Sequence, residues 1–231
     1  MNEDKLGLAD AYAVDTPDDN RALYRDWATT YESDYMDAHA YIYHRHVVEL
    51  FAATCEAPAG QLTPAAVLDV GCGTGVAGVE LARLADSGLG DWVIDGIDIS
   101  PEMLAVAKDK VVDGKRVYRT LSEVDVTLPL PLATASYDGV ISSGTFTHGH
   151  LGPEPLRELV RIASSGARFA IGINAEHFEA RGFAAALDQL VADGLIVDLA
   201  MNHVAMYDAS ATNHEHAHDR AAVPTFRRTG S

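Results

Sequence analysis

The chain has 231 residues, 48% of them hydrophobic, which suits one α/β domain and leaves too little chain for a second full domain. Its 34 acidic and 17 basic residues give a formal net charge of -17, which disfavours nucleic acid as a partner because phosphates would be repelled. The first ten residues are polar and no stretch approaches the ~20 apolar residues of a membrane span, so we expect a cytoplasmic protein without a membrane partner. Two cysteines, Cys55 and Cys72, do not make a disulfide framework.

Aromatic residues mark the first predicted helix. Tyr24, Trp27 and Tyr31 follow i, i+3 and i+7 spacing and therefore share one helical face. Such a stripe usually packs in a core. Apolar spacing over residues 43–51 predicts a second helix, packed on a sheet edge.

A glycine-rich loop follows the first predicted strand. Residues 67–75 read Val-Leu-Asp-Val-Gly-Cys-Gly-Thr-Gly. Gly71, Gly73 and Gly75 allow a tight turn and a close approach of the backbone to a ligand, at the electropositive start of a helix. The loop therefore predicts a site for a nucleotide-like cofactor.

The spacing of this loop discriminates between cofactors. A dinucleotide fingerprint needs its third glycine at position 76, where the chain has Val76, so a nicotinamide oxidoreductase is disfavoured. A phosphate-binding loop needs a lysine, which residues 72–80 lack. The carboxylate of Asp69 suits a cation and would repel a phosphate.

Strand and helix signals alternate beyond the loop. Extended segments are predicted at 92–99, 117–126, 137–142 and 168–173, and helical spacing at 101–111, 156–163 and 183–191. Ser100 is the expected N-cap of the first of these helices, with Pro101 at its first position. This alternation predicts a parallel sheet whose ligand lies across the carboxyl ends of the strands.

Asp98 closes the second of the predicted strands. It follows the glycine loop by about 20 residues, the offset at which an acid binds ribose hydroxyls in related nucleotide folds. The alternative is a helix-capping role, which Ser100 already fills. We therefore predict a ribose contact for Asp98.

Together these features resemble class I S-adenosylmethionine-dependent methyltransferases, in particular the methyltransferase-like proteins of the Williams-Beuren syndrome region and their bacterial relatives. The resemblance rests on the aromatic segment 24–31, the loop 67–75, Gly-Ile-Asp-Ile-Ser-Pro-Glu-Met-Leu at 96–104 and Tyr-Asp-Gly-Val at 137–140. It implies an α/β, Rossmann-like class I methyltransferase fold, with a mostly parallel seven-stranded sheet flanked by helices. Residues 1–60 would form an N-terminal helical lid, and residues 61–231 the core of a single structural domain.

One segment departs from that family pattern. Family members end on an apolar antiparallel strand, whereas residues 221–228 contain Pro224 and few β-branched residues. Whether this segment forms the last strand of the sheet is therefore left open.

The resemblance also implies the cofactor, S-adenosyl-L-methionine, with S-adenosyl-L-homocysteine as product, and a set of binding residues. Asp69 would lie near the methionine ammonium, Asp125 near the adenine amino group, and the aromatic lid would close over the cofactor. For Asp125 the alternative is ordinary turn chemistry at a strand end. The predicted cofactor-binding residues are Trp27, Tyr31, Asp69, Gly71, Cys72, Gly73, Gly75, Asp98, Ile99, Met103, Asp125, Val126 and Ser143.

Histidines are the candidates for chemistry on the acceptor side. A hydroxyl acceptor benefits from a base, and His148 follows the fourth predicted strand, where the acceptor should approach. An exposed or backbone-bonded loop histidine is the alternative reading. His177, His39 and His44 are weaker competitors.

Absent motifs narrow the acceptor class further. Ser142 to Thr145 stand where nucleic-acid and glutamine amino-methyltransferases carry an Asn/Asp-Pro-Pro-Tyr/Phe element, so exocyclic amines are disfavoured. No carboxylate lies between Ile141 and Gly152, so no metal is expected. The alternate histidines at 214, 216 and 218 are interpreted as a solvated loop rather than a zinc site.

The sequence therefore predicts a methyltransferase acting on a small molecule, with O-methylation of a hydroxyl or carboxyl group ahead of N-, S- or C-methylation. A non-catalytic S-adenosylmethionine-binding module is the alternative from another functional class. The acceptor's identity and a homodimeric state are left open.

Overall fold

Nine strands are present in the computed structural model, which describes residues 16–37, 40–55, 66–85, 92–147, 151–211 and 218–230. They are β1 (Ala66–Val70), β2 (Val93–Asp98), β3 (Val111–Val112), β4 (Lys115–Arg116), β5 (Tyr118–Glu123), β6 (Tyr137–Phe146), β7 (Ala163–Asn174), β8 (Ile196–Ala205) and β9 (Arg220–Arg228). Seven of them form one sheet in the order β5-β2-β1-β6-β7-β9-β8, and β3 and β4 form a separate hairpin. β9 is antiparallel to both of its neighbours, while β1, β2, β5, β6 and β7 are parallel. The predicted α/β fold with a mostly parallel seven-stranded sheet is confirmed.

Helices cover the two faces of this sheet. They are α1 (Pro17–Trp27), α2 (Tyr43–Cys55), α3 (Val76–Leu84), α4 (Pro101–Ala107), α5 (Pro155–Ile162), α6 (Ala175–Ala180) and α7 (Phe183–Ala192), and a π-helical segment spans Tyr31–Asp37. Within the described ranges, none of these helices is both long enough and apolar enough to cross a bilayer. The predicted boundary at residue 60 falls outside the described residues.

Side-chain alternation along β1 explains the two-sided core. Val67 belongs to a buried apolar cluster that includes Tyr43, Val47 and Phe51 of α2. Leu68 belongs to a second cluster, built with residues of α5, α7, β7 and β9. Because successive strand residues point to opposite faces, a central strand of apolar residues is buried by helices on both sides.

The N-terminal ends of two helices follow from local chemistry. The Ser100 hydroxyl accepts a hydrogen bond from the Met103 amide at 3.2 Å and Pro101 opens α4, which confirms the predicted cap. Thr16 caps α1 through a reciprocal pair of hydrogen bonds with Asp19. The caps thus fix the start of α4 at the carboxyl edge of the sheet and the start of α1 in the segment that covers that edge.

The segment with Pro224 is a full strand, which resolves the question left open by its sequence. β9 lies between β7 and β8, and its residues from Ala221 to Phe226 are buried. The pairing with β7 skips Ile171 and Gly172, which lie opposite Pro224 and Val223, so the missing N–H interrupts the ladder only locally. Burial of the strand therefore outweighs its low β-propensity.

Phe226 gives a direct test of how far β9 supports the fold. Its ring stacks on Phe169 with centroids 4.5 Å apart, and both side chains are buried. We expect Phe226→Ala to lower the free energy of unfolding by about 3–5 kcal/mol, because it leaves a cavity between two strands. Urea denaturation measures this, with Met201→Ala, exposed on β8, as a control expected to change stability by less than about 1 kcal/mol. Equal effects of the two changes would contradict a central role for β9.

Candidate functional site

A cavity lies at the carboxyl ends of β1, β2, β5 and β6, where the strand order reverses on either side of β1. This is the position at which open α/β sheets bind ligands. The cavity encloses about 1160 Å³, including its open mouth. Ten of the predicted binding residues line it: Tyr31, Gly71, Cys72, Gly73, Asp98, Ile99, Met103, Asp125, Val126 and Ser143.

The glycine loop forms the floor of the cavity. Gly71 has φ +64°, and a Cβ there would lie 1.8 Å from Oγ1 of Thr145, so no side chain fits. Gly73 has φ +53°, and a Cβ there would meet no atom within 4 Å. Gly73 thus leaves its surroundings open to a ligand, whereas Gly71 allows β6 to approach the loop.

Hydroxyl groups of β6 fasten that strand to the end of β1. The hydroxyls of Ser142 and Thr145 both donate to the carbonyl oxygen of Val70, at 2.9 and 2.8 Å. The carbonyl therefore uses both of its lone pairs, and the wall of the cavity beside the glycine loop is fixed.

Asp98 joins the glycine loop to the start of α4. Its Oδ2 accepts a hydrogen bond from the Gly73 amide at 2.8 Å, and its Oδ1 accepts one from the Ser100 amide at 2.9 Å. Burial raises the pKa of this carboxyl group, and the amides of Ser100 and Gly73 oppose that rise. A carboxylate has about four acceptor positions, so Asp98 can brace the loop and still accept from ligand hydroxyls.

Asp69 departs from its expected place. It does not line the cavity; it lies behind the loop, 1% exposed, where its Oδ2 accepts a hydrogen bond from the Tyr118 hydroxyl at 2.7 Å. Its Oδ1 is buried without a partner among the described residues. Burial raises its pKa to about 7, although the hydrogen bond from Tyr118 works in the other direction. Asp69 is therefore not part of the cavity lining, and its contact with a ligand ammonium stays a prediction.

Gly75 likewise lies outside the cavity lining. It has φ +92° and is the N-cap of α3, and a Cβ there would come 2.9 Å from the ring of Tyr118. Its role in this structure is to let the loop pass into the helix against Tyr118.

Two ion pairs connect the N-terminal helical segment to the core. Nη2 of Arg21 lies 3.5 Å from Oδ2 of Asp125, whose Oδ1 accepts hydrogen bonds from both the amide and the hydroxyl of Thr127. Nζ of Lys110 lies 2.6 Å from Oε1 of Glu32 in the π-helical segment. These contacts hold α1 and the π-helical segment against the mouth of the cavity.

The aromatic stripe divides into lining and core residues. Trp27 is 1% exposed and packs edge-on against Tyr31 with ring centroids 5.2 Å apart, so it supports the cavity wall without lining it. Tyr24 and Tyr31 do line the cavity. Tyr24, which shares the helical face of Trp27, thus lines the cavity without having been predicted as a binding residue, and the contact of Trp27 with the cofactor stays a prediction.

The candidate histidines also differ in whether they line the cavity. His148 and His39 lie outside the described residues. Nε2 of His177 lies 2.7 Å from the Leu151 carbonyl, and its ring does not line the cavity. His44 does line it: the residue is 5% exposed, and its Nδ1 has no partner among the described residues. Burial, with Arg45 next, lowers the pKa of His44 to about 4.

The histidine cluster near the end of the chain falls largely on undescribed positions, since 214 and 216 are both outside the described ranges. Over the ranges given above, no three histidine, cysteine or acidic side chains come together as a metal site would require.

Comparison with known proteins agrees with the geometry of this cavity. A family model described as a methyltransferase domain matches residues 67–166. The chain is similar to Methyltransferase GfsG of Streptomyces halstedii, with 30% identity over 105 residues, or 46% of this chain and 36% of that protein. It is similar to Ajmaline N-methyltransferase of Rauvolfia serpentina, with 31% identity over 108 residues, or 47% and 35% of the two chains. It therefore spans about a third of the length of these curated relatives.

A solved structure extends the likeness over nearly the whole chain. The 1,6-didemethyltoxoflavin-N1-methyltransferase of Burkholderia thailandensis, with its bound substrate and S-adenosylhomocysteine, superimposes with a TM-score of 0.60. The match covers 94% of this chain and 92% of that one at 18% identity. At this identity the likeness concerns the fold.

The buried carboxyl group of Asp69 predicts a pH-dependent stability. Its pKa in the folded protein is about 7, above the usual aspartate value of 3.8, so between these pH values the folded state holds a proton that the unfolded state has lost. The free energy of unfolding should therefore fall as pH rises from about 4 to about 7, by roughly 4 kcal/mol from this group. Asp69→Asn carries no such proton, so its stability relative to the native protein should rise over the same interval.

Urea denaturation at several pH values measures that difference. Asp188→Asn, an exposed change on α7, is the matched control and should run parallel to the native protein. A parallel course for Asp69→Asn as well would show that the carboxyl group is ionised throughout.

Proposed function

We propose that this chain, whose residues 67–166 form a methyltransferase domain within a class I methyltransferase fold, transfers a methyl group from S-adenosylmethionine to a small molecule. One observation carries the proposal. The described residues that line the cavity include two carboxylates, Asp98 and Asp125, and neither lysine nor arginine, although Asp125 also pairs with Arg21 outside the lining. Such a site favours a ligand with a positive charge and hydroxyl groups, and it disfavours a polyanionic cofactor.

The residues of the cavity fit the parts of that cofactor. The carboxylate of Asp98 would accept from the ribose hydroxyls, and Asp125 together with Val126 and Met103 would hold the adenine ring. The Thr74 hydroxyl lines the cavity, is buried, and has no partner among the described residues, so it is available to the amino-acid portion. When bound, the cofactor supplies an electrophilic methyl carbon on a sulfonium sulfur.

The acceptor would bind in the part of the cavity that β6 and the N-terminal segment line. Gly144, Thr147 and Leu151 contribute to that lining, together with Met36 and Tyr41. The chain's contribution there is to position the acceptor and exclude water, which supplies much of the rate of an in-line transfer. A cavity that the N-terminal segment lines in part accommodates a small molecule more readily than a macromolecule.

The finer proposal is O-methylation of a hydroxyl or carboxyl group. Apart from Asp98 and Asp125, the described residues that line the cavity carry no acidic side chain that would bind an amine as its cation, and they include the neutral imidazole of His44. His148 stays a candidate base on the strength of its position in the sequence. Its replacement by alanine should then slow a hydroxyl acceptor and barely affect a carboxyl one.

Cofactor binding can be tested at Gly73 with a control of the same backbone geometry. Gly73 and Gly114 both have positive φ, and an added Cβ would meet nothing within 4 Å at either one. Gly73→Leu puts a side chain into the cavity, whereas Gly114→Leu puts it into the exposed β3–β4 turn. We expect the first to weaken binding of S-adenosylhomocysteine about 100-fold or more in titration calorimetry, and the second to leave it unchanged.

The proposal would be overturned if the native protein gave no heat with S-adenosylmethionine or S-adenosylhomocysteine but clear saturation by NADH.

Turnover can be sought without knowing the acceptor. The purified protein is incubated with S-adenosylmethionine and a small-molecule cell extract, and mass spectrometry compares it with the Gly73→Leu variant. We expect compounds heavier by one methylene in the native reaction only, because transfer requires the bound cofactor. Mild alkaline hydrolysis of those products separates methyl esters from methyl ethers. New products that also form with the variant would contradict the proposal.

A further inference from the structure

His44 is a buried imidazole in the wall of the cavity. It is the second residue of α2 and is 5% exposed. Its Nδ1 is fully buried and has no hydrogen-bond partner among the described residues. Buried polar atoms are nearly always paired, whereas this Nδ1 is not engaged by another side chain of the described residues, and the residue lines the cavity.

The segment that carries His44 is fixed to the sheet. The amides of Ile42 and Tyr43 both donate to the Met206 carbonyl, at 3.0 and 3.2 Å, and Tyr41 forms a β-bridge with Tyr207. The ring of Tyr41 stacks on that of His44 with an interplanar angle of 20° and centroids 6.2 Å apart. The imidazole is therefore held in one orientation by its neighbours.

The charges around His44 keep its ring neutral. Burial lowers its pKa most, Arg45 and His46 on the same helix lower it further, and Glu32 of the π-helical segment raises it. Glu32 is already bound to Lys110, and the start of α2 adds a positive dipole end. Tyr41 and Tyr31, which face the same space, stay protonated because burial raises their pKa values. His44 is thus a free base throughout the physiological pH range.

We propose that His44 accepts the proton from the hydroxyl group of an aromatic acceptor that packs along Tyr41 and Tyr31. This deepens the proposed function and rests on it. As the acceptor oxygen forms its bond to the methyl carbon, the methyl–sulfur electron pair stays on sulfur, and the hydroxyl proton moves to the imidazole and then to water. The positive charge passes from sulfonium to imidazolium, so charge and atoms balance.

A base with a low pKa suits this step. An oxygen that has gained a methyl group while still carrying its proton is a strong acid, so even a weakly basic imidazole can take that proton. The planar tyrosine rings favour a planar acceptor through stacking and edge contacts. A carboxylate acceptor would need no base, which makes it the natural comparison.

The first test measures methyl transfer to 1-naphthol and to 1-naphthoic acid, which share a ring and differ in the reacting group. We expect His44→Gln to lower kcat for 1-naphthol about 100-fold with KM changed less than about threefold, and to leave the naphthoic acid reaction, if present, unchanged. Imidazole in the buffer should restore activity to His44→Ala. His46→Gln, two residues along α2 and paired with Glu49 at its surface, is the control expected to match the native protein.

The second test does not depend on turnover. In the native protein saturated with S-adenosylhomocysteine, 1-naphthol should shift the ring-nitrogen resonances of His44 in long-range ¹H–¹⁵N spectra, and 1-naphthoic acid should not. The His44→Gln spectrum assigns those resonances. The same spectra should place the titration of His44 near pH 4, and kcat for 1-naphthol should show no acid limb near 6.5.

The outcomes distinguish the role of His44 from the proposed function on which it rests. If the protein binds S-adenosylhomocysteine but 1-naphthol leaves the His44 resonances unmoved, the role of His44 is overturned and the proposed function stands. The same holds if His44→Gln and His46→Gln have equal effects, or if an acid limb near 6.5 disappears in His148→Ala. Failure to bind S-adenosylhomocysteine overturns the proposed function itself.

Discussion

The hydrogen bond from the Gly73 amide to Asp98 is the contact on which the site depends. It ties the loop after β1 to the end of β2, and the second oxygen of the same carboxylate holds the start of α4. Ser142 and Thr145 secure the other side of the loop by bonding the Val70 carbonyl. A loop of small residues, otherwise free to adopt many conformations, is therefore held in the one that leaves the cavity open.

Much of this arrangement could be predicted from local sequence. The glycine spacing, the acid at the end of β2 and the Ser100 cap each depend on residues close together in the chain. The alternation of strands and helices then requires the switch point at β1. These features carried the resemblance to methyltransferases, which in turn implied the seven-stranded sheet, and both predictions are confirmed. Asp98 and Asp125 line the cavity, while their contacts with ribose and adenine stay predictions.

What the sequence did not reveal depends on contacts between distant segments. Tyr118, 49 positions away, donates a hydrogen bond to Asp69 in a buried pair behind the glycine loop, which the sequence did not indicate. Trp27 lies under Tyr31 instead of beside the cavity, because periodicity identifies a helical face but not which residue of that face reaches the surface. His44 stood out little in a chain with 10 histidines, and its importance follows from burial and from the bracing by Met206.

The place of β9 in the sheet also constrains how the molecule assembles. β8 is an edge strand joined to the sheet solely through β9, which comes after it in the chain. During synthesis the backbone N–H and C=O groups of β8 consequently have no hydrogen-bonding partner in the sheet until β9 has emerged and inserted beside β7. Because Met206, which anchors the segment before His44, follows directly on β8, the part of the cavity wall that carries His44 is completed only at that late stage of folding.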